Sequence, residues 1–346
     1  MSASGRGAGR PSPAFWVASR DGGVAHLEVR DGRLHRRGHD LILGEDLAAV
    51  VAHPDGRWIY ASVRSLPGIV RLSVDPDTGQ AERQDVLRYP ARFVHLSISP
   101  AGDALIGADY AGEVAIFPLA DGRLDDRSAV RLRPGRHPHA AVAGADRLWI
   151  GLLGEDAVLQ VPLKEARPAI ADATRTQLPE GFGPRHIALT AAGAVVIGER
   201  QGALARIPRG AREPDAIWSI LPEGLDLAPG IVRATPAPEP THAPDGRPLT
   251  WAADLAVSAD GHTVYASERR TSQLSISRLG PGGGRLVRSV ETEPRPRALA
   301  LDRSARWLLV SGELADTVTL YDAADHDLPV VDRCPVARGA VWVQGA

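Results

Sequence analysis

Apolar residues in this chain fall in short runs bounded by Pro, Asp, Gly and Ser, and the runs come in pairs. Ala49-Val-Val-Ala-His-Pro-Asp-Gly-Arg-Trp-Ile-Tyr-Ala-Ser-Val-Arg64 is one pair folded about an Asp-Gly turn. His95 to Tyr110 and Asp254 to Arg269 repeat it, Arg297 to Glu313 is a further copy, and weaker copies lie at 139–154 and 186–200. Two β-forming runs flanking a tight turn predict a hairpin, and the i, i+3, i+4 spacing of a long amphipathic helix is absent. The chain reads as all-β.

The turn positions Gly56, Gly102, a site near Ala145, Gly193, Gly261 and Ala305 recur about every 45 residues, except for the 68 between Gly193 and Gly261. A period near 45 with four strands per unit is that of a β-propeller blade, and closing the ring removes exposed strand edges. Six internal units, with partial units at Ala14–Val29 and Gly339–Gln344, predict a seven-bladed β-propeller closed by pairing of the N- and C-terminal strands. An eight-bladed ring or a two-sheet sandwich is the competing architecture. The single domain is expected over 14–346, behind a disordered tail of residues 1–13. The long interval holds so many prolines that about 228–248 reads as an inserted loop.

Charge and composition narrow the partners. Forty Lys and Arg against forty-two Asp and Glu leave a formal charge of −2, so no global basic field exists to hold nucleic acid. No run approaches the ~20 apolar residues of a membrane span, and the start of the chain lacks the apolar stretch of a signal peptide. The single cysteine, Cys334, has no partner for a disulfide. These features predict a cytoplasmic protein with neither a nucleic-acid nor a membrane partner.

Because the units repeat, polar residues can be compared by their offset from the turn. His95, His186 and Asp254 each lie seven residues before their turn glycine; Arg185 and Arg297 lie eight before Gly193 and Ala305. On the far side, Arg64, Tyr110 and Arg269 lie eight after, Glu268 seven after and Glu199 six after. The start of the first strand of an antiparallel hairpin is beside the end of the second. All these groups, with His139, therefore gather on one face, and they ring the mouth of the central channel if the first strand of each hairpin is innermost. A concave cluster of His, Arg, Glu and Asp suits a polyhydroxylated or anionic small molecule.

Other readings are weaker. His137 and His139, two apart on a strand, would face one side, but no third metal ligand with typical spacing accompanies them. Gly-Phe-Gly-Pro-Arg-His186 precedes a strand instead of opening a helix, against a phosphate loop. There is no Gly-x-Ser-x-Gly elbow. The seven Trp, among them Trp58, Trp149, Trp307 and Trp342, are expected to pack between blades.

The chain resembles the seven-bladed propeller lactonase family, whose members include bacterial 6-phosphogluconolactonases and the fungal carboxy-muconate lactonising enzyme. The resemblance covers nearly the whole chain. It rests on Gly183-Pro-Arg-His186 followed by Glu199, Trp251-Ala-Ala-Asp254 followed by Asp260-Gly, Tyr265 and Glu268-Arg269, and Thr292-Glu-Pro-Arg-Pro-Arg297. His53-Pro-Asp-Gly, Tyr60, Tyr110-Ala-Gly112 and Val341-Trp-Val343 support it. The sequence departs from the family in carrying Ala298, Ala256 and Ala340 where Gly, His and Pro are usual.

The resemblance implies a catalytic set of His139, Arg185, Glu199 and Arg269. His95, Tyr110, His186 and Asp254 are expected to bind substrate, with Arg64 and Arg297 holding a distal anion. It implies hydrolysis of a sugar-acid lactone, 6-phosphoglucono-δ-lactone of the pentose phosphate pathway foremost. In that reaction Glu199 or His139 takes the proton of water, and Arg185 and Arg269 stabilise the oxyanion or bind a substrate phosphate. These residues require no metal and no organic cofactor. Muconate lactonising chemistry, and a non-catalytic propeller that binds a partner protein, are the alternatives. The expected partner is a small anionic lactone, and a closed ring permits a monomer or a weak homo-oligomer.

Overall fold

The computed structural model describes residues 12–165, 167–231 and 240–346. Residues 1–11 of the expected tail and 232–239 of the expected insertion lie outside the described residues. The fold is a ring of seven antiparallel sheets, with one 3₁₀ turn at Ile170–Asp172 as the only helical element among the described residues. Numbered along the chain, blade 1 spans 47–88, blade 2 93–132, blade 3 138–177, blade 4 184–219, blade 5 252–291 and blade 6 296–335. Blade 7 takes its innermost strand, Ala340–Gly345, from the C-terminus and its outer strands from 14–42. Phe15 pairs with Gly345 and Val17 with Val343, so one chain end is zipped to the other.

The first strand of each hairpin is innermost. In turn, Leu47–Ala52, Phe93–Ile98, Pro138–Ala143, Pro184–Thr190, Ala252–Val257, Pro296–Leu301 and Ala340–Gly345 each lie against the next and close the circle. Middle strands such as Gly193–Gly198 and Trp307–Gly312 are buried at every residue because a neighbouring blade covers each face. That is why the sequence shows continuous apolar runs instead of alternation. Outermost strands such as Ala81–Arg88 are largely exposed.

Seven hydrophobic clusters fill the seven seams between blades. Trp149 and Phe182 are fully buried in the seam between blades 3 and 4, each contributing about 2–3 kcal/mol of burial. Gly56, Gly102 and Gly261 adopt φ of 73°, 76° and 74° in their hairpin turns, a conformation glycine enters without a Cβ clash. Ala305 takes the same position in blade 6 at φ 56°. The two ends of the 228–248 insertion return to each other: Ala228 bridges to Leu249, and Gly230 N–H donates to Arg200 O at 2.7 Å. That hydrogen bond ties the insertion to the mouth side of blade 4.

Candidate active site

Each inner strand carries a bulge where it enters the mouth. Opposite the second strand of the same blade, the register gains one residue at Ala48, Val94, His139, Arg297 and Val341. In blades 4 and 5 the pairs Arg185-His186 and Ala253-Asp254 sit in the equivalent bulge. A bulge bends its strand and re-aims the extra side chain. Four of the seven thus present His139, Arg185 with His186, Asp254 and Arg297 to the channel.

The rings of His95 and His139 each lie 5.4 Å from that of His186, and Trp342 stands 5.6 Å from both His95 and His186. Tyr110 approaches His139 edge-on at 6.2 Å and stacks on His137 at 4.3 Å. His137 does not belong to the strand with His139: it precedes it, at φ 52°, so strand alternation does not govern where it points.

Asp254 ties three blades together. Its Oδ1 accepts from His186 Nδ1 at 2.6 Å and from Leu255 N–H at 2.9 Å; its Oδ2 accepts from Leu299 N–H of blade 6 at 3.1 Å. A carboxylate only accepts and a guanidinium only donates, which fixes the His186 tautomer. Nδ1 carries the proton, and Nε2 accepts from Arg185 Nη1 at 3.2 Å. Arg185 also donates from Nη1 to Ala253 O at 2.5 Å and pairs through Nε with Glu199 Oε2 at 2.7 Å. Its Nη2 carries no hydrogen bond among the described residues.

Arg269 approaches the same Glu199 oxygen from the other side, Nη2 lying 3.4 Å away. Its Nε and Nη2 donate to the carbonyls of Trp251 and Ala252, its guanidinium lies 3.7 Å over the Trp251 ring, and its Nη1 is unspent among the described residues. Glu199, 19% exposed, is therefore clasped between two buried arginines, each with an N–H group to spare among the described residues.

Burial sets the protonation of this cluster. It pushes His95 down to about 3 and His139 well below the usual imidazole range, with His186 and Arg185 adding to the effect. His186 falls for the same reason, its burial and the Arg185 charge outweighing Asp254. All three are neutral near pH 7. Burial pulls the Arg269 guanidinium down to about 9, opposed by Glu199. Burial would raise Asp254, but the hydrogen bonds from His186 and Leu299 N–H and the Arg185 charge hold it below its ordinary value.

A structural support lies behind Glu199. Asp156 accepts from Gly181 N–H at 2.9 Å and Gly183 N–H at 2.7 Å and pairs with buried Arg200; Gly183 O then accepts from Glu199 N–H at 2.8 Å. Gly183 has φ 66°, and a Cβ there would lie 2.7 Å from Arg200 Nε. The Gly-Phe-Gly segment is thus a turn leading into a strand, held by one carboxylate.

The remaining expected residues stand around this core. Arg297 pairs with buried Glu313, which Arg20 also reaches at 3.1 Å. Burial opposes the Glu313 charge, yet Arg297 and Arg269 hold that carboxyl down at about 2. Arg64 lies at the blade 1 edge, 3.7 Å from Asp46. Glu268 caps the local backbone, accepting from Trp251 N–H and Thr271 N–H.

Glu313 and Trp342 were not expected in the site. Glu313 lies eight residues after Ala305, the offset that identified Arg64, Tyr110 and Arg269. Trp342 packs against the seams on either side of blade 1, as the inter-blade reading expected, and also faces two of the histidines.

Residues 22–343 match the family model described as lactonase, 7-bladed β-propeller. The chain is 25% identical to the 6-phosphogluconolactonase of Xenorhabdus nematophila over 344 residues, 95% of this chain and 93% of that protein. It is 27% identical to that of Serratia proteamaculans over 303 residues, 84% and 86% of the two chains. Among solved structures, a protein from Lactobacillus plantarum superposes with a TM-score of 0.80 at 20% identity, covering 97% of this chain and 100% of that one. The periplasmic gluconolactonase of Pseudomonas aeruginosa gives 0.74 at 18%, covering 97% and 99%. With a family match that runs almost the length of a seven-bladed ring, the chain belongs to the seven-bladed β-propeller lactonase family.

Proposed function

We propose that this protein hydrolyses a sugar-acid lactone, 6-phosphoglucono-δ-lactone, with Glu199 as general base and Arg185 and Arg269 stabilising the oxyanion. The observation that carries this reading is the Glu199 carboxylate held between two buried guanidiniums, each with N–H groups unspent among the described residues. The names of the curated relatives supply the substrate class.

Water attacks the lactone carbonyl carbon while its proton passes to Glu199. Negative charge leaves the carboxylate and appears on the carbonyl oxygen, within reach of the same two arginines, so the cations need not move as the reaction proceeds. The tetrahedral adduct then breaks its bond to the ring oxygen, which takes the proton from Glu199 and leaves as the hydroxyl of the sugar acid. Glu199 suits the base role better than His139, because it is partly exposed to water whereas His139 is buried with its basicity strongly depressed. The neutral imidazoles of His95, His139 and His186 form the wall against which sugar hydroxyls pack, and Asp254 acts through His186 to orient Arg185.

Glu199→Gln tests the assignment. Its kcat on freshly prepared lactone, corrected for spontaneous opening, is expected to fall about 10²–10⁴-fold in a variant that still melts cooperatively, at a lower temperature because two buried arginines lose their counter-charge. A variant that turns over at the wild-type rate would remove Glu199 from the mechanism.

A further inference from the structure

The arginines of the mouth differ in how their charge is balanced. Arg185 and Arg269 share Glu199, and Arg297 and Arg20 share Glu313. Two more guanidiniums gather around Trp251, outside Arg269: Arg295 lies 5.2 Å and Arg270 5.6 Å from the ring centroid. Neither lies within 4.0 Å of a carboxylate among the described residues. Both are half-buried.

Arg270 is anchored by its Nε, which donates to Leu249 O at 3.1 Å, and its two terminal nitrogens carry no hydrogen bond among the described residues. The Arg295 backbone is pinned on both sides, its N–H to Ser272 Oγ at 3.1 Å and its carbonyl to Glu313 N–H at 2.9 Å, while its guanidinium carries no hydrogen bond among the described residues. An indole face attracts cations but does not neutralise them. Two guanidiniums with no carboxylate partner among the described residues therefore stand beside Trp251. Arg269, stacked on Trp251 and 3.4 Å from Glu199, connects them to the reacting end of the site.

We infer that Arg270 and Arg295, flanking Trp251, form a subsite for the phosphate monoester of the substrate, and make this site selective for phosphorylated sugar lactones over neutral ones. A phosphate monoester carries about −1.5 to −2 charge near pH 7, matching two guanidiniums, and its oxygens suit their paired donors. The inference rests on the lactonase reading of Glu199 and its arginines. It moves the distal anion from Arg64 and Arg297, whose charges face Asp46 and Glu313, to the pair that no carboxylate among the described residues balances.

Steady-state hydrolysis of 6-phosphoglucono-δ-lactone and of unphosphorylated glucono-δ-lactone, by wild type, Arg270→Ala, Arg295→Ala and the double variant, tests it. For the phosphorylated lactone KM is expected to rise at least tenfold in each single variant and further in the double, with kcat within about twofold. KM for the unphosphorylated lactone is expected not to change, and Arg→Lys at both positions should restore part of the loss. An equal rise for both lactones, or none for either, would overturn the subsite. Failure of wild type to accelerate either lactone would instead overturn the lactonase reading. Calorimetric titration with 6-phosphogluconate then decides the subsite alone: binding by wild type that the double variant lacks supports it, and equal binding or none by both overturns it.

Discussion

Lowering the pH from 7.5 to 5.5 should destabilise this protein through its channel histidines. His95 and His139 are buried and stay neutral in the folded state, with His95 at about 3 and His139 well below its ordinary value. In the unfolded chain each titrates near 6.5. The folded pKa is the lower one, so below 6.5 the unfolded state binds more protons and stability falls as pH falls. At pH 5.5, one unit below the unfolded value, His95 contributes about 1 kcal/mol of destabilisation relative to neutral pH, and His139 acts in the same direction. His186 and His26, also pushed down by burial, act in the same direction. Asp254 and Glu313 work in another window: their depressed pKa values make their contribution full above the unfolded carboxyl range, and it is lost only as pH falls through the folded values, about 2 for Glu313. Urea titrations at pH 7.5 and 5.5 read the difference. His95→Gln should shrink the pH-dependent loss by about 1 kcal/mol. Equal stability at the two pH values, or a His95→Gln variant with the full wild-type dependence, would refute the neutral buried cluster.

Asp156→Ala leaves two loop N–H groups and the buried Arg200 without their partner, and is expected to cost about 3–5 kcal/mol in denaturant titrations. Because the same loop positions Glu199, kcat should fall in whatever fraction remains folded; an unchanged kcat would assign Asp156 to stability alone. Ala305→Gly relieves a left-handed alanine where three other blades use glycine, and should stabilise by about 0.5 kcal/mol after the added unfolded-state entropy is subtracted, read as a small rise in the denaturation midpoint.

The architecture was legible because the sequence repeats. Apolar runs about Asp-Gly and Ala-Gly turns located the hairpins, and the partial units at Ala14 and Gly339 located the closure. The offset comparison also gathered His95, His139, Arg185, His186, Glu199, Asp254 and Arg269 correctly onto one face. What it lacked was the bulge. A bulge adds one residue to one strand without a composition signature, and it decides which of two adjacent residues enters the channel; it also separates His137 from His139. Glu313 obeys the same offset as Arg269, but the Arg297–Glu313 pairing depends on three-dimensional proximity. Asp156 carries no pattern of its own, because its partners are backbone N–H groups of the next blade's entry loop. The charge balance that separates Arg270 and Arg295 from Arg297 likewise exists only once side chains are placed.

The most direct measurement is the rate of 6-phosphoglucono-δ-lactone opening, followed by coupled NADPH formation and corrected for the spontaneous reaction, for wild type and Arg185→Ala. Wild type should accelerate opening, and Arg185→Ala should lose about 10²–10³-fold in kcat while melting as a folded ring. No acceleration by wild type, or full activity in a folded Arg185→Ala protein, would contradict a lactonase built on Glu199 between two arginines.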